Sequence, residues 1–210
     1  MNGISFQALP RLSFSFRYAG LGRGGNFAQD RLIWDRSFDA HLSILDEGKY
    51  QPAVSLGLRD FIGTGWYSSE YIVGTKSIGD LELTAGLGFG RLAGRDTFSN
   101  PLSILSTRFD NREANAYGSG GTLGTINWFQ GDAAIFYGMN YYFGEKIIVS
   151  AEYTTDAMLP ESSYLNIKNP LNLGISYQFN DYVSLSTQYL HGSQLSVTAH
   201  VSINPGRPPI

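Results

Sequence analysis

Three histidines are the first residues of this chain that could do chemistry. His41 and His200 fall on the polar sides of predicted strands, and His191 falls at a predicted turn. A hydrolase would need one of them beside a serine, with a third group to orient the imidazole. Serines are abundant throughout the chain, so the sequence selects no particular Ser–His pair. We therefore expect solvated polar histidines and no catalytic residues.

Motifs for metals, cofactors and nucleic acids are also missing from the sequence. The chain has no Cys, no His-x-x-His pair and no carboxylate cluster with ligand spacing. The glycine-rich stretches 20–25 and 118–124 lack the Lys-Ser/Thr of a phosphate-binding loop. With 15 Lys and Arg against 18 Asp and Glu, no basic block stands out. We expect no metal, no cofactor and no nucleic-acid partner.

Charged residues of both signs lie on the polar sides of the predicted strands. Mixed charges can pair within the wall of a barrel, and they do not define an ion-selective pore. Two interpretations stay open: a structural network that fills a narrow lumen, or a hydrophilic conduit whose side chains hydrogen-bond sugar hydroxyls. The residues predicted to face the lumen are Arg17, Arg59, Glu70, Lys76, Glu82, Gly86, Gly88 and Gly90, together with Arg11, Arg36, Asp39 and Glu152.

The elements that must position these residues are strands with one apolar and one small polar side. The clearest is 81–91, where Leu81, Leu83, Ala85, Leu87 and Phe89 alternate with Glu82, Thr84, Gly86, Gly88 and Gly90. Successive side chains of a strand point to opposite faces. A polar face of Gly, Thr and Ser is typical of the inside of a membrane barrel whose apolar face meets lipid. Its glycines either relieve crowding or leave room for something inside the lumen, and we favour crowding or an inserted loop.

The same alternation recurs along residues 1–204, in segments of roughly 8–11 residues, the span of a tilted transmembrane strand. Charged residues make up 16% of the chain, below the ~25% typical of soluble domains. No apolar run approaches the ~18 residues of a transmembrane helix. The sequence predicts an all-β fold: an antiparallel transmembrane β-barrel, or part of one, with about 10–12 strands.

Short and long connections alternate along the chain, and this alternation favours a bacterial outer-membrane barrel over a soluble Greek-key sandwich. We assign the short turns to the periplasm and the long loops to the outside. The longest loop, 92–131, contains apolar residues such as Trp128 and Phe129, so we predict that it folds back as a plug or a cover. Residues 205–210 are interpreted as a linker to further sequence of a longer protein.

An ordered series of motifs resembles the YjbH (GfcD-like) family. The motifs are Gly57–Gly65, Glu70–Val73 and Gly86–Leu92, with further matches at Phe6–Pro10, Leu45–Gly48, Phe98–Leu102, Trp128–Gly131 and Asn204–Pro209. The resemblance implies an outer-membrane protein tied to exopolysaccharide or capsule production in Gram-negative bacteria. It implies no catalytic residue, and family members are considerably longer than this chain.

The residue pattern predicts a non-enzymatic barrel of the cell outer membrane, and the resemblance alone implies that it serves exopolysaccharide or capsule secretion or assembly. Its expected partners are the lipid bilayer, the polysaccharide and periplasmic export proteins. Three alternatives stay open: a general porin or structural membrane protein, an outer-membrane lipid-modifying enzyme, and a soluble β-sandwich. The sequence identifies neither the polymer nor whether the lumen is open.

Overall fold

One antiparallel sheet contains all the strands in the part of the chain that the computed structural model describes, which is residues 2–21, 33–113, 127–158, 161 and 165–202. Its 11 strands are neighbours in chain order. They are β1 Asn2–Leu9, β2 Leu12–Leu21, β3 Ile33–Leu45, β4 Ala53–Arg59, β5 Ser69–Ile78, β6 Leu81–Gly90, β7 Ala133–Phe143, β8 Ile147–Tyr153, β9 Leu171–Asn180, β10 Val183–Leu190 and β11 Gln194–Val201. The all-β antiparallel prediction and the strand number are confirmed, and the linker predicted at 205–210 lies outside the described residues.

Turns of two or three residues and the seven-residue connection 46–52 join the strands at one end of the sheet, which we call the turn end. Gly79 and Gly144 both have φ 60°, a left-handed conformation that glycine adopts without strain and that suits short hairpins. The connections 22–32, 60–68, 91–132 and 154–170 leave the opposite end, which we call the loop end. The connection 191–193 is the one short segment there. Short and long connections thus separate to the two ends, as the sequence indicates.

The pairing register divides the side chains into two faces. Leu42, Leu56, Ile72, Leu87 and Ile135 are paired in one continuous row from β3 to β7. Residues at even offsets from this row form the apolar face, and the intervening residues form the polar face, because alternate side chains point to opposite sides. A one-residue slip in any strand would exchange its two faces, so the shared row shows a consistent register across these strands.

In the part of the chain that the structure describes, no second layer of strands covers the apolar face. Among the described residues only Phe89, Ala133 and Ala134 are buried hydrophobic residues, whereas Leu173 and Ile175 at mid-strand are each 52% exposed. A β-sandwich would bury such a face against another sheet about 10 Å away. The single sheet therefore argues against the sandwich alternative. No helix in the described ranges has the length and apolarity required to cross a membrane.

The connection 91–132 begins on the polar face, where Leu92 lies beside Gly88, and its later residues Arg112 and Phe129 contact Glu70 and Phe89 of the apolar face at the loop end. Short 3-10 helices span Arg91–Ala93, Pro101–Ile104 and Thr107–Phe109. The Asn100 side-chain amide donates to the backbone carbonyls of Phe109, Phe129 and Gly131, which ties the segment to itself. The Phe129 ring packs edge-on against Phe89 of β6, with ring centroids 5.4 Å apart. A role as plug or cover stays a prediction, and residues 114–126 lie outside the described part.

Candidate functional site

Glu70 and Lys76 lie on the apolar face, so their predicted lumen orientation is corrected. Glu70 is in register with Leu58 and Phe89, and Lys76 is in register with Leu83. The sequence pattern misled because two bulky residues of β5, Tyr71 and Val73, belong to the polar face, whereas Ile72 belongs to the apolar face. Arg36 is corrected in the same way, since it pairs with Tyr18 of the apolar face.

Both β5 charges are neutralised at the ends of the strand. Arg112 Nη1 and Nη2 donate to the Glu70 carboxylate at 2.7 and 3.0 Å, and Glu70 is 2% exposed. At the turn end, Lys76 Nζ donates to Glu47 Oε1 at 2.7 Å and to the Gly48 carbonyl at 2.8 Å. A bidentate guanidinium–carboxylate pair compensates for the desolvation of the buried charge. The two residues therefore attach connections to the sheet and do not line a lumen.

Glycines on the polar face make room for side chains of neighbouring strands. A Cβ at Gly86 would overlap the Phe136 ring, one at Gly57 would overlap the Tyr71 ring, and one at Gly88 would overlap Leu92. Gly90 has φ 62° and ends β6 in a conformation that other residues adopt only with strain. Of the two interpretations of the glycine face, the structure supports relief of crowding, with the start of the long connection filling the space at Gly88.

Tyr71 and Phe136 form an aromatic ridge across the middle of the polar face. Their ring centroids are 6.3 Å apart at 83°, an edge-to-face contact. A groove of about 260 Å³ lies on the β1–β5 side of the ridge, and we call it the charged groove. It contains the predicted Arg59, with Asp39 and His41.

A second groove, of about 310 Å³, lies on the β7–β10 side of the ridge, and we call it the amide groove. Its polar-face residues include Asn140, Ser150, Glu152, Asn172 and Gln188. Asn140 Nδ2 donates to the predicted Glu82 at 2.8 Å. The sequence prediction included Glu82 and Glu152 but missed the three amides, which carry no distinctive spacing and are common on solvated surfaces.

A buried charged layer lies at the loop end of the polar face, and we call it the loop-end cluster. The Tyr67 ring lies between two guanidinium groups, with Arg17 Cζ at 4.5 Å and Arg91 Cζ at 4.6 Å from its centroid. Arg91 forms ion pairs with Asp156 at 2.6 Å and Glu161 at 2.9 Å. Arg17 lies 3.9 Å from Asp35, which is fully buried. Three connections of the sheet thus meet at two arginines and one tyrosine.

Burial acts on the pKa values of several groups in this layer, and it raises the pKa of the Tyr67 phenol. It raises the pKa of the Asp60 carboxyl to about 6, assisted by the nearby charges of Asp35 and Asp39 and opposed by the hydrogen bond from the Tyr67 amide. Burial alone would lower the pKa of Arg91, but the hydrogen bonds to Glu161 and Asp156 outweigh it and raise that pKa. Arg91 therefore stays charged, whereas Asp60 titrates near pH 6.

The histidines do not assemble into a reactive centre. His41 lies in the charged groove on β3, His191 is 4% exposed in the β10–β11 turn, and His200 lies on β11. The described residues contain no group of three or more His, Cys, Asp or Glu that could hold a metal ion. The polar face presents hydroxyls, amides and carboxylates beside Arg59 and His41, and all of these groups can form hydrogen bonds.

Comparison with known proteins places this sheet in a family. The YjbH family, described as "Exopolysaccharide biosynthesis protein YbjH", matches residues 1–210. A curated relative from Escherichia coli (strain K12), named "Uncharacterized lipoprotein YjbH", is 29% identical over 213 residues. That match covers 97% of this chain and 30% of the relative, so the chain spans less than a third of the relative's length. The chain belongs to the YjbH family of exopolysaccharide biosynthesis proteins.

Proposed function

We propose that this chain is part of a transmembrane β-barrel in the outer membrane that serves exopolysaccharide secretion or assembly without catalysing a reaction. The observation that carries the proposal is the apolar face, which the described residues leave uncovered except at the loop end, opposite a face of hydroxyls, amides and glycines. Soluble monomeric proteins rarely expose large contiguous apolar surfaces, and such surfaces usually contact a membrane or another protein. A bilayer would solvate the whole face at once.

Aromatic residues at the strand ends support a lipid-facing orientation. Near the turn end, Tyr141 packs on Phe143 at 4.5 Å, and Tyr177 packs on Phe179 at 4.9 Å. All four side chains are on the apolar face and 38–55% exposed. Outer-membrane barrels carry aromatic girdles of this kind where the bilayer meets water. We therefore place the turn end at the periplasmic interface.

Strand direction favours a barrel larger than the described sheet. In an antiparallel sheet of 11 strands in chain order, β1 and β11 run in the same direction. Pairing these two edges directly would join parallel strands, whereas bacterial outer-membrane barrels are antiparallel with an even strand number. Unpaired backbone groups are costly in hydrocarbon. Strands from outside the described residues are thus needed to close the wall, which agrees with a chain that covers 30% of its relative.

The polysaccharide role comes from the family and agrees with the chemistry of the polar face. Sugar hydroxyls both donate and accept hydrogen bonds, as do the Ser, Thr, Asn and Gln side chains on this face. Envelope association agrees with the name of the relative, which is a lipoprotein. The proposed partners are the lipid bilayer, the exopolysaccharide and periplasmic export proteins that deliver the polymer.

Two measurements on the full-length protein test this proposal. The protein should fractionate with outer membranes and migrate differently on gels with and without boiling, as closed barrels do. Cells without the gene should lose extracellular polymer while retaining it in the periplasm or cytoplasm. Recovery in the aqueous fraction would contradict the membrane part. Unchanged polymer export would contradict the polysaccharide part and would leave a general porin or structural protein.

A further inference from the structure

We propose that the amide groove is a binding subsite for a sugar unit without negative charge, either neutral or amino-bearing. This inference rests on the proposed function, since it requires the polar face to line a polysaccharide path. It adds to that function a location for recognition and a class of sugar.

The register gathers the hydrogen-bonding groups of the groove into two adjacent rows. One row runs across the strands through Glu82, Asn140, Ser150, Gly174 and Gln188. Neighbouring strands lie about 4.8 Å apart, and rows on one face lie roughly 7 Å apart. These distances match the separation of hydroxyl groups around a pyranose ring and its linkage to the next unit.

The second row runs through Thr84, Gly138, Glu152 and Asn172. Asn172 is held at both ends: its Oδ1 accepts from the His191 amide at 3.0 Å, and its Nδ2 donates to Glu152 at 3.4 Å. Because an amide nitrogen carries two hydrogens, each of Asn140 and Asn172 retains an N–H for a ligand. Side chains fixed before binding lose little conformational entropy on binding, which strengthens recognition.

Exposure distinguishes this groove from the rest of the polar network. Glu152 and Gln188 are exposed, and Asn140, Ser150 and Asn172 are half-buried. Gly174 carries no side chain, and the Ser150 hydroxyl occupies the space that a Cβ would take there, between the flanking amides. Phe136 lines the edge of the groove beside these groups. Its π-face attracts the weakly positive C–H face of a sugar.

The charges around the groove determine the class of sugar. Glu82 contacts Asn140, and Glu152 lines the groove, so both charged groups of the two rows are carboxylates. The arginines of the polar face lie elsewhere: Arg59 lines the charged groove, and Arg17 belongs to the loop-end cluster. A uronate would bring a third negative charge beside two carboxylates, which is unfavourable. A neutral hydroxyl or a protonated amine meets acceptors of the required sign.

Cysteine protection in the full-length protein tests the subsite, because this chain has no native Cys. The probe is an uncharged water-soluble maleimide, and the two variants are Ser150→Cys in the amide groove and Ser13→Cys in the charged groove. The competitors are a neutral gluco-oligosaccharide, a chitosan oligosaccharide and an oligogalacturonate of equal length. Any cysteine elsewhere in the full-length protein is replaced by serine in both variants.

We expect the neutral and amino oligosaccharides to slow labelling of Ser150→Cys at least threefold and to leave Ser13→Cys unchanged. Adding Gln188→Ala should abolish the protection, whereas adding Gln178→Ala, an amide of the same face outside the groove, should not. The oligogalacturonate should protect only after Glu82→Gln and Glu152→Gln are combined.

Two outcomes would overturn the subsite: no oligosaccharide protects Ser150→Cys, or the oligogalacturonate protects it equally well without the two Glu→Gln substitutions. In both cases labelling of the two cysteines would still support a polar face that is lined by water. Failure of both cysteines to label contradicts the proposed function itself and the subsite with it.

Discussion

The loop-end cluster and the amide groove contain the same types of side chain, but these side chains have different roles. Around Arg91, carboxylates and guanidinium groups are buried and paired, and they join connections that lie far apart in sequence. In the amide groove, Glu152 and Gln188 stand exposed on single strands. Buried polar groups in a network contribute to stability and are costly to disrupt, whereas exposed polar groups remain available to a ligand. Burial, more than residue type, therefore separates the two roles.

The largest effect is expected from Arg91→Met, which tests the structural role of the loop-end cluster. It leaves Asp156 and Glu161 buried without their cation, and breaking a buried ion pair typically costs about 3–5 kcal/mol. Urea unfolding of the protein in detergent should show a loss of this size. Arg11→Met is the matched control: the exposed pair with Asp46 should contribute less than about 1 kcal/mol. Equal losses for both variants would contradict a special role for the cluster.

The next effect is a pH dependence in the same cluster, from Asp60. Its folded pKa of about 6 lies above the ordinary aspartate value of 3.8. The folded state therefore binds the proton of Asp60 more tightly than the unfolded state does. The contribution of this proton to the free energy of unfolding is complete below about pH 4 and is lost as pH rises through 6. Two pKa units correspond to at most roughly 3 kcal/mol. The free energy of unfolding of Asp60→Asn should therefore change less with pH between pH 4 and 6.5 than that of the parent. If the pH dependence of the variant equals that of the parent, Asp60 is not the source of this dependence.

A smaller effect is expected at the aromatic ridge, where Phe136 borders the amide groove. Gly86→Ala places a methyl group where the Phe136 ring lies, and such overpacking costs about 1–3 kcal/mol. Combining it with Phe136→Leu should recover part of the loss, measured as a coupling energy in a double-mutant cycle. Gly74→Ala is the control, since its Cβ would meet neighbours only at 3.8 Å or more. A Gly86 variant as stable as the Gly74 variant would contradict the packing explanation.

The smallest effect on stability is expected in the amide groove. Gln188→Ala removes an exposed side chain, and substitutions of this kind usually change stability by less than about 0.5 kcal/mol. Denaturant midpoints of the variant and the parent should coincide, although the variant should lose oligosaccharide protection. A loss above 1 kcal/mol would mean that this residue is structural like Arg91, and the contrast between the two regions would disappear.

Much of the fold could be predicted because period-two alternation is local in sequence. The strand Leu81–Gly90 shows the alternation of both faces within ten residues, and Gly79 just before it forms the hairpin turn. β5 could not be predicted correctly, because the side of Glu70 and Lys76 depends on register with β4 and β6. Arg112 and Glu47 neutralise these charges from distant positions, and no local pattern indicates such partners.

The candidate site was harder to predict for the same reason. Glu82 and Glu152 could be assigned to the polar face from alternation alone, but their amide partners come from β7 and β9. The loop-end cluster joins Arg17, Tyr67 and Arg91 across three separate segments. Contacts between positions so far apart in sequence arise only when the sheet brings loop ends together.

Adjacent residues on β9 give the most direct test that the apolar face meets lipid and the polar face meets water. Ile175 is 52% exposed on the apolar face, and Ser176 is on the polar face, where it hydrogen-bonds Ser186. Ile175→Cys and Ser176→Cys would be labelled in intact outer membranes with a charged, water-soluble maleimide and with a lipid-soluble one. We expect the water-soluble reagent to label Ser176→Cys at least tenfold faster, and the lipid-soluble reagent to favour Ile175→Cys. Equal labelling of both positions by the water-soluble reagent would contradict a membrane-spanning sheet.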